Sequence, residues 1–415
     1  MRRISADWVV LGDKPPIRDG VVSITTNGTI ASIGTGEADT HVRGVIMPGL
    51  VNAHTHLELS ALRGRVPGRD GFIAWVEKLI GARVELAEDE ERDAIRAAVR
   101  ELRDAGTALV GEVTNSLAAV SALAEANIAG CIFHEVFGQD LARLRERVSG
   151  LEAELKERVP VWPSEDLAYA PAPHTLYTLH LDVAKMILEE CRRLNRRTSL
   201  HLLEHALERR AIERGEGPVV EWLATRSRVD PSELAWPKKP VIDVADDIGA
   251  LAPDVLLVHL TEARPDELAR IAAAKSPVVL CPRSNLHIEG KLPPLLAVRE
   301  AGIEPALGTD SLASNASLDV LAEAKALADR FPSVAADALI GMATWNGARA
   351  LGRHDLGRLA RGARPGIYAV DGDVKEHPAR WLLAHLAEPR RCLVPRISGV
   401  RSERDPRSGI PVTER

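Results

Sequence analysis

Short apolar, β-branched runs alternate with longer helix-like stretches from Val45 to Asp310. Eight such runs can be counted: VIMPGLVNAH (45–54), TALVGEVTN (107–115), AGCIFHEVFG (129–138), DLAYAPAP (166–173), RTSLHLLE (197–204), DVLLVHLT (254–261), PVVLCPRS (277–284) and GIEPALGTD (302–310). Between them lie segments such as EDEERDAIRAAVRELRDAG (88–106) and LDVAKMILEECRRLNR (181–196). Eight strand-then-helix units over roughly 300 residues predict a (β/α)₈ barrel. A doubly wound sheet is the alternative, because a strand count does not show closure. The acidic run EDEERD is most simply a solvated helix start, where negative charge is favoured.

The rhythm differs at the two ends. DWVVLG reads as a short strand, and VVSITTNGTIASIG as a strand pair around Asn27-Gly28, residues that type I′ hairpin turns prefer. After TWNGARALG (344–352) the passage LGRLARGARPGIYAVDGD is again strand-like. The predicted organisation is a barrel over 47–355 with one small β domain shared by 1–46 and 356–415.

Composition narrows the function. Of 415 residues, 45% are apolar and 27% charged, the balance of a soluble globular protein. Lys plus Arg number 53 against 59 Asp plus Glu, a net charge of −6, so a general affinity for nucleic acid is not expected. Aromatic residues, at 3%, are too few for base-stacking platforms. Cys131, Cys191, Cys281 and Cys392 form no CxxC, which argues against a thiolate zinc site and a disulfide framework and fits a reducing compartment. MRRISADWVVLGDKPP lacks the apolar core of a signal peptide, and LAAVSALAEANIAGCIF is interrupted by Glu125 and Asn127, short of the roughly 20 apolar residues of a membrane span. The expectation is a cytoplasmic protein with a small-molecule partner, no membrane and no nucleic acid, with room left for a homo-oligomer.

Candidate chemistry gathers where the strands end. His54 and His56, in PGLVNAHTHLELS, are two apart, so on an extended strand both imidazoles face one side and can reach one metal ion. A lone HxH is weak, but this one closes the first predicted barrel strand, where such barrels build their sites. His201 and Glu204 close the fifth strand. Three apart, they cooperate only if the chain turns there. His259 closes the sixth strand and Asp310 the eighth. Singly, His201 reads as a core histidine and Asp310 as a helix N-cap; together they place metal-binding groups at one end of several strands.

PGLVNAHTHLE (48–58), HLLE (201–204), His259, CPRSN (281–285) and LGTDS (307–311) occur in the order seen in the amidohydrolase superfamily, and the chain most resembles its cytosine/adenosine deaminase and chlorohydrolase branch. The resemblance implies a distorted (β/α)₈ TIM barrel with a composite β-sandwich domain from both termini, and one divalent metal. His54, His56, His201 and Asp310 match its ligands, Glu204 its proton-shuttling acid, and His259 the residue that orients the attacking water; Asp310 counts in the catalytic set as well. Three imidazoles and a carboxylate suit Zn²⁺, with Fe²⁺ as the alternative. A bridging carboxylated Lys is not available in DLAYAPAPHTLY, which favours one metal.

HTHLELS followed by GFIAWVEKLI (71–80) is most similar to the aminodeoxyfutalosine deaminases of the alternative menaquinone pathway. On that resemblance Glu58, Trp75, His174, Arg283 and Asn285 are candidates to line a nucleoside pocket. The plainer readings are a helix cap for His174, core for Trp75 and a structural ion pair for Arg283. Glu112 and Glu135 end the second and third strands and can face the same cavity. Other readings of the chain are a hydrolase removing halide or an amide from a similar ring, and a non-catalytic scaffold.

Overall fold

The structure, a computed structural model, describes residues 1–396 apart from 229, 231–233 and 235. Four strands open it: β1 (Arg2–Val9), β2 (Ile17–Ile24), β3 (Ile30–Thr35) and β4 (Thr40–Pro48). Then come β5 (Leu50–Thr55), β6 (Thr107–Thr114), β7 (Ala129–Val136), β8 (Leu167–Pro173), β9 (Thr198–Leu202), β10 (Val255–His259), β11 (Val278–Leu280) and β12 (Ala306–Leu307). β13 (Ile367–Asp371) and β14 (Arg390–Val394) follow. β5–β8 form one parallel sheet and β9–β12 another. Isolated parallel bridges join both seams, Thr55 with Asp310 and Thr175 with His201, so the eight strands run round a ring. The segments expected to be helical at 88–106 and 181–196 are helices over Glu88–Asp104 and Leu181–Arg193.

The run 45–54 is not one strand. Its first part belongs to β4 and its second to β5. β4 is covered on both faces. Val45 and Met47 enter the barrel's core while Ile46 enters the small domain's core, so no polar position marks the boundary. β4 pairs with β13 at Ile46–Ala369 and Met47–Tyr368, which ties the two ends of the chain into one sheet ordered β14-β13-β4-β1-β2-β3. Ile4, Val9, Val22, Ile46 and Ile367 share its apolar core. Hydrogen bonding runs unbroken through all six strands, so the expected sandwich takes the form of a single sheet. The approach to β13 folds over it, and Ile30 N donates to Ala363 O at 3.0 Å.

The β2–β3 turn also differs from expectation. Only Gly28 is left-handed there (φ 73°), and its N–H donates to Thr25 O at 3.0 Å. That is a type I turn followed by a left-handed glycine and a bulge at Ser23/Ile24, the geometry of a longer hairpin loop. The Arg-rich stretch 389–407 is described as far as Arg396, whose guanidinium donates to Asp166 Oδ2 and Asn127 Oδ1, both at 2.7 Å. Its remainder lies outside the described residues. Among the described residues no helix is long and apolar enough to cross a membrane.

Candidate active site

His54 lies in β5 and His56 just beyond it, His201 in β9, and His259 ends β10. Glu204 follows β9 by two residues, and Asp310 follows β12 by three. The backbone turns sharply at these ends: Leu203 (φ 54°), His259 (79°), Leu260 (51°) and Asp310 (56°) are all left-handed. Such non-glycine residues cost on the order of 1–3 kcal/mol each and persist where the surroundings hold them. The turn at Leu203 answers the three-residue spacing of His201 and Glu204, since it brings Glu204 Oε1 to 3.7 Å from His259 Nε2. Close approach of β12 to β5 needs Gly308, where a Cβ would lie 2.6 Å from His54 Cβ.

The donors converge. His54 Nε2 is 3.3 Å from His201 Nε2 and 3.9 Å from Asp310 Oδ1, and His56 Nε2 is 3.6 Å from the same oxygen. Ligands held at roughly 2.0–2.1 Å around a tetrahedral ion sit about 3.3 Å apart, so these spacings suit one small cation with little adjustment. Burial lowers all three imidazoles, His54 well below the ordinary value and His201 to about 4, so each is neutral and offers a lone pair near pH 7. His201 Nδ1 lies 3.0 Å from His174 O; donating there leaves Nε2 to face His54. Asp310 Oδ2 accepts from Ser284 Oγ (2.5 Å) and Ser314 Oγ (3.3 Å), which leaves Oδ1 towards the histidines. Three further clusters of close metal-binding atoms overlap this one among the described residues, His54–His201–His259, Glu135–His174–His201 and Glu204–His259–Asp310.

Burial, then the charges of Asp310 and Glu208, push Glu204 well above the usual carboxylate range. Asn285 Nδ2 lies 3.3 Å from His259 Nδ1. With that amide donating, the neutral ring carries its proton on Nε2, facing Glu204.

The pocket candidates are placed unevenly. Asn285 supports His259. His174 Nε2 is 3.8 Å from Glu135 Oε1 and its Nδ1 2.6 Å from Thr178 Oγ1, beside the His201 ring. Trp75 is buried in the core against Phe72, with no partner for its indole N–H among the described residues. Arg283 donates to Ser317 Oγ at 3.0 Å and lies 3.8 Å from the buried Glu323. Glu58 takes Arg83 Nη2 (3.0 Å), Thr114 Oγ1 (2.8 Å) and the Asn115 and Ser116 N–H groups (3.0 and 2.9 Å). Burial raises the Glu58 carboxyl, but Arg83 and the Ser116 and Thr114 bonds outweigh it and hold it below its ordinary value. Its carboxylate is thus committed to the loop after β6. Glu112 accepts Leu57 N–H at 3.1 Å, while Glu135 Oε1 does face the centre, 3.6 Å from His201 Nδ1. Sequence reasoning missed Ser284 and Glu208. Ser284 lies in the motif CPRSN beside Arg283 and Asn285, and that motif is the signal for it.

The amidohydrolase family model matches residues 45–407. A 5-methylthioadenosine/S-adenosylhomocysteine deaminase of Halobacterium salinarum is 31% identical over 401 residues, covering 92% of this chain and 87% of that one. An aminodeoxyfutalosine deaminase of Deinococcus radiodurans is 28% identical, covering 76% and 75%. Among solved structures, Helicobacter pylori aminofutalosine deaminase in complex with methylthio-coformycin superposes with a TM-score of 0.83 at 23% identity, covering 96% of this chain and all (100%) of that one. The zinc complex of an Arthrobacter aurescens atrazine chlorohydrolase superposes with a TM-score of 0.74 at 19% identity, covering 92% and 91%.

Proposed function

The chain belongs to the amidohydrolase family, and from that premise we propose that it is a metal-dependent hydrolase acting on carbon–nitrogen bonds, which deaminates an adenosine-like nucleoside. One observation carries this reading: Glu204 and His259, 3.7 Å apart, stand at the strand ends that gather His54, His56, His201 and Asp310. Those four would hold one divalent ion, Zn²⁺ or Fe²⁺, which when bound supplies the Lewis acidity that makes water nucleophilic near neutral pH. Glu204 moves the protons. It takes one from the attacking water and gives it to a ring nitrogen, then takes the second from the hydroxyl now on the ring carbon and delivers it to the departing ammonia. Its raised pKa lets it hold a proton at neutral pH between those steps. His259, kept in one orientation by Asn285, aligns the water beside Glu204. A scaffold without chemistry has no use for this set.

The finer reading is aminodeoxyfutalosine as substrate, in menaquinone biosynthesis, supported by the Deinococcus relative. In it Arg283, with one N–H committed to Ser317, pairs with the substrate's carboxylate through its remaining donors. The second reading is 5-methylthioadenosine or S-adenosylhomocysteine, supported by the higher identity and coverage of the halobacterial relative. A cytoplasmic location is supported by four free cysteines.

The test is metal analysis followed by ammonia release from these nucleosides and adenosine. The expected result is about one divalent ion per chain, lost in His56→Ala while the chain stays folded. Ammonia should come fastest from aminodeoxyfutalosine, and Arg283→Met should slow that substrate but not 5-methylthioadenosine. No ammonia from any amino-heterocycle by the metal-loaded protein would move the assignment to halide release.

A further inference from the structure

Glu208 lies four residues beyond Glu204, in the first turn of the helix Ala206–Arg214, and is 1% exposed. No basic group lies within 4 Å of its carboxyl among the described residues, and burial, opposed by neighbouring N–H groups and by Arg209 further off, raises it to about 7. Its Oε2 accepts the N–H of Glu204 at 3.0 Å, the Leu203 N–H acts on the carboxyl from close by, and Oε1 has no hydrogen-bond partner among the described residues. These two peptides make the left-handed turn at Leu203, and without that turn Glu204 would project away from His259. The helix start is itself pinned: His205 Nδ1 accepts the Glu208 N–H at 3.2 Å, His205 Nε2 meets Tyr177 OH at 3.1 Å, and Phe72 stacks on the same ring with centroids 3.8 Å apart. The carboxylate therefore hangs from a rigid mount.

We propose that Glu208 is the positioning residue for Glu204: it holds the strained turn from behind and so fixes where the proton-carrying carboxyl sits. This rests on the deaminase reading above. Glu208 touches neither the ligand set nor any reacting atom, and acts through Glu204 alone.

Glu208→Ala should lower kcat about 100-fold, the scale of a misplacement of about 1 Å, with KM within threefold and metal content unchanged. Glu208→Gln, whose amide oxygen can still accept the Glu204 N–H, should keep kcat within about fivefold of the unaltered enzyme. The decisive comparison is a double-mutant cycle: in a Glu204→Gln background, Glu208→Ala should cost nothing further. An equal loss in both backgrounds, or a Gln variant as impaired as Ala, would overturn the proposal. Crystal structures of the two variants provide a readout independent of turnover, with Leu203 expected to leave its left-handed conformation in Ala and to keep it in Gln. A Leu203 unmoved in Ala also overturns the proposal. Silence of the unaltered enzyme towards every nucleoside would instead count against the deaminase reading, while the crystal structures still decide what Glu208 holds.

Discussion

The inward positions of the six-stranded sheet and the mouth of the barrel are both buried, and burial does opposite things in them. In the sheet the inward positions are Ile4, Val9, Val22, Ile46 and Ile367, and taking each from water contributes about 1.5–3 kcal/mol. At the mouth, His54, His259, Glu112, Glu208 and Glu323 are each no more than 1% exposed. There burial pushes imidazoles down and carboxyls up. Each of the three glutamates holds a backbone N–H just beyond a strand end, beside a candidate residue or on it: Glu112 that of Leu57, Glu208 that of Glu204, and Glu323 that of Arg283. Sheet positions accept whatever fills the same volume. Mouth positions accept only what makes the same bonds.

Four experiments can break or sharpen that contrast. The largest effect is expected from ending the chain at residue 355, which removes β13 and β14 and leaves β4 unpaired on one edge. No soluble protein is expected. A soluble, active product would show that barrel and sheet fold independently. Next, Glu204→Gln should cut kcat by about 10²–10⁴ while metal content and unfolding midpoint stay put, because the amide is nearly isosteric but carries no protons. Loss of less than tenfold would make Glu204 structural.

The mirror experiment is Ile46→Ala in the sheet, which should cost about 2–5 kcal/mol in denaturant unfolding and leave kcat unchanged at temperatures where the protein is folded. A change in kcat would mean that the sheet tunes the site. The smallest effect concerns pH. Burial lowers His205 to about 3, whereas in the unfolded chain it titrates near the ordinary 6.5. Between those values the unfolded state binds the extra proton, so this residue's contribution is complete above about pH 6.5 and shrinks on acidification down to about 3. His205→Gln, which can still meet Tyr177, should therefore flatten the acid-side fall in stability by at most about 1.4 kcal/mol per pH unit. Equal slopes in urea titrations of both proteins would contradict a buried neutral His205.

Much of the barrel could be read without coordinates. Strands inside it are covered on both faces, so TALVGEVT, AGCIFHEV and VLLVH stand out as mostly apolar runs, and a histidine or carboxylate towards the end of such a run is conspicuous. The same property hid the junction of β4 and β5, because both strands are covered on both sides. The resemblance of HTHLELS makes Glu58 a pocket candidate, yet its partners at Thr114–Ser116 lie more than fifty residues away. No local pattern announces that exchange.

What the sequence alone determined is the kind and order of the elements, and which residues stand at strand ends, since periodicity and propensity act over a handful of neighbours. The tertiary structure decided the rest: the pairing of β4 with β13, the left-handed turn at Leu203, the nitrogen of His201 that faces His54, and the bond from Ser284 that turns Asp310 towards the histidines. Each depends on two distant segments meeting within hydrogen-bond distance and losing their water together. That meeting has no counterpart in the linear chain.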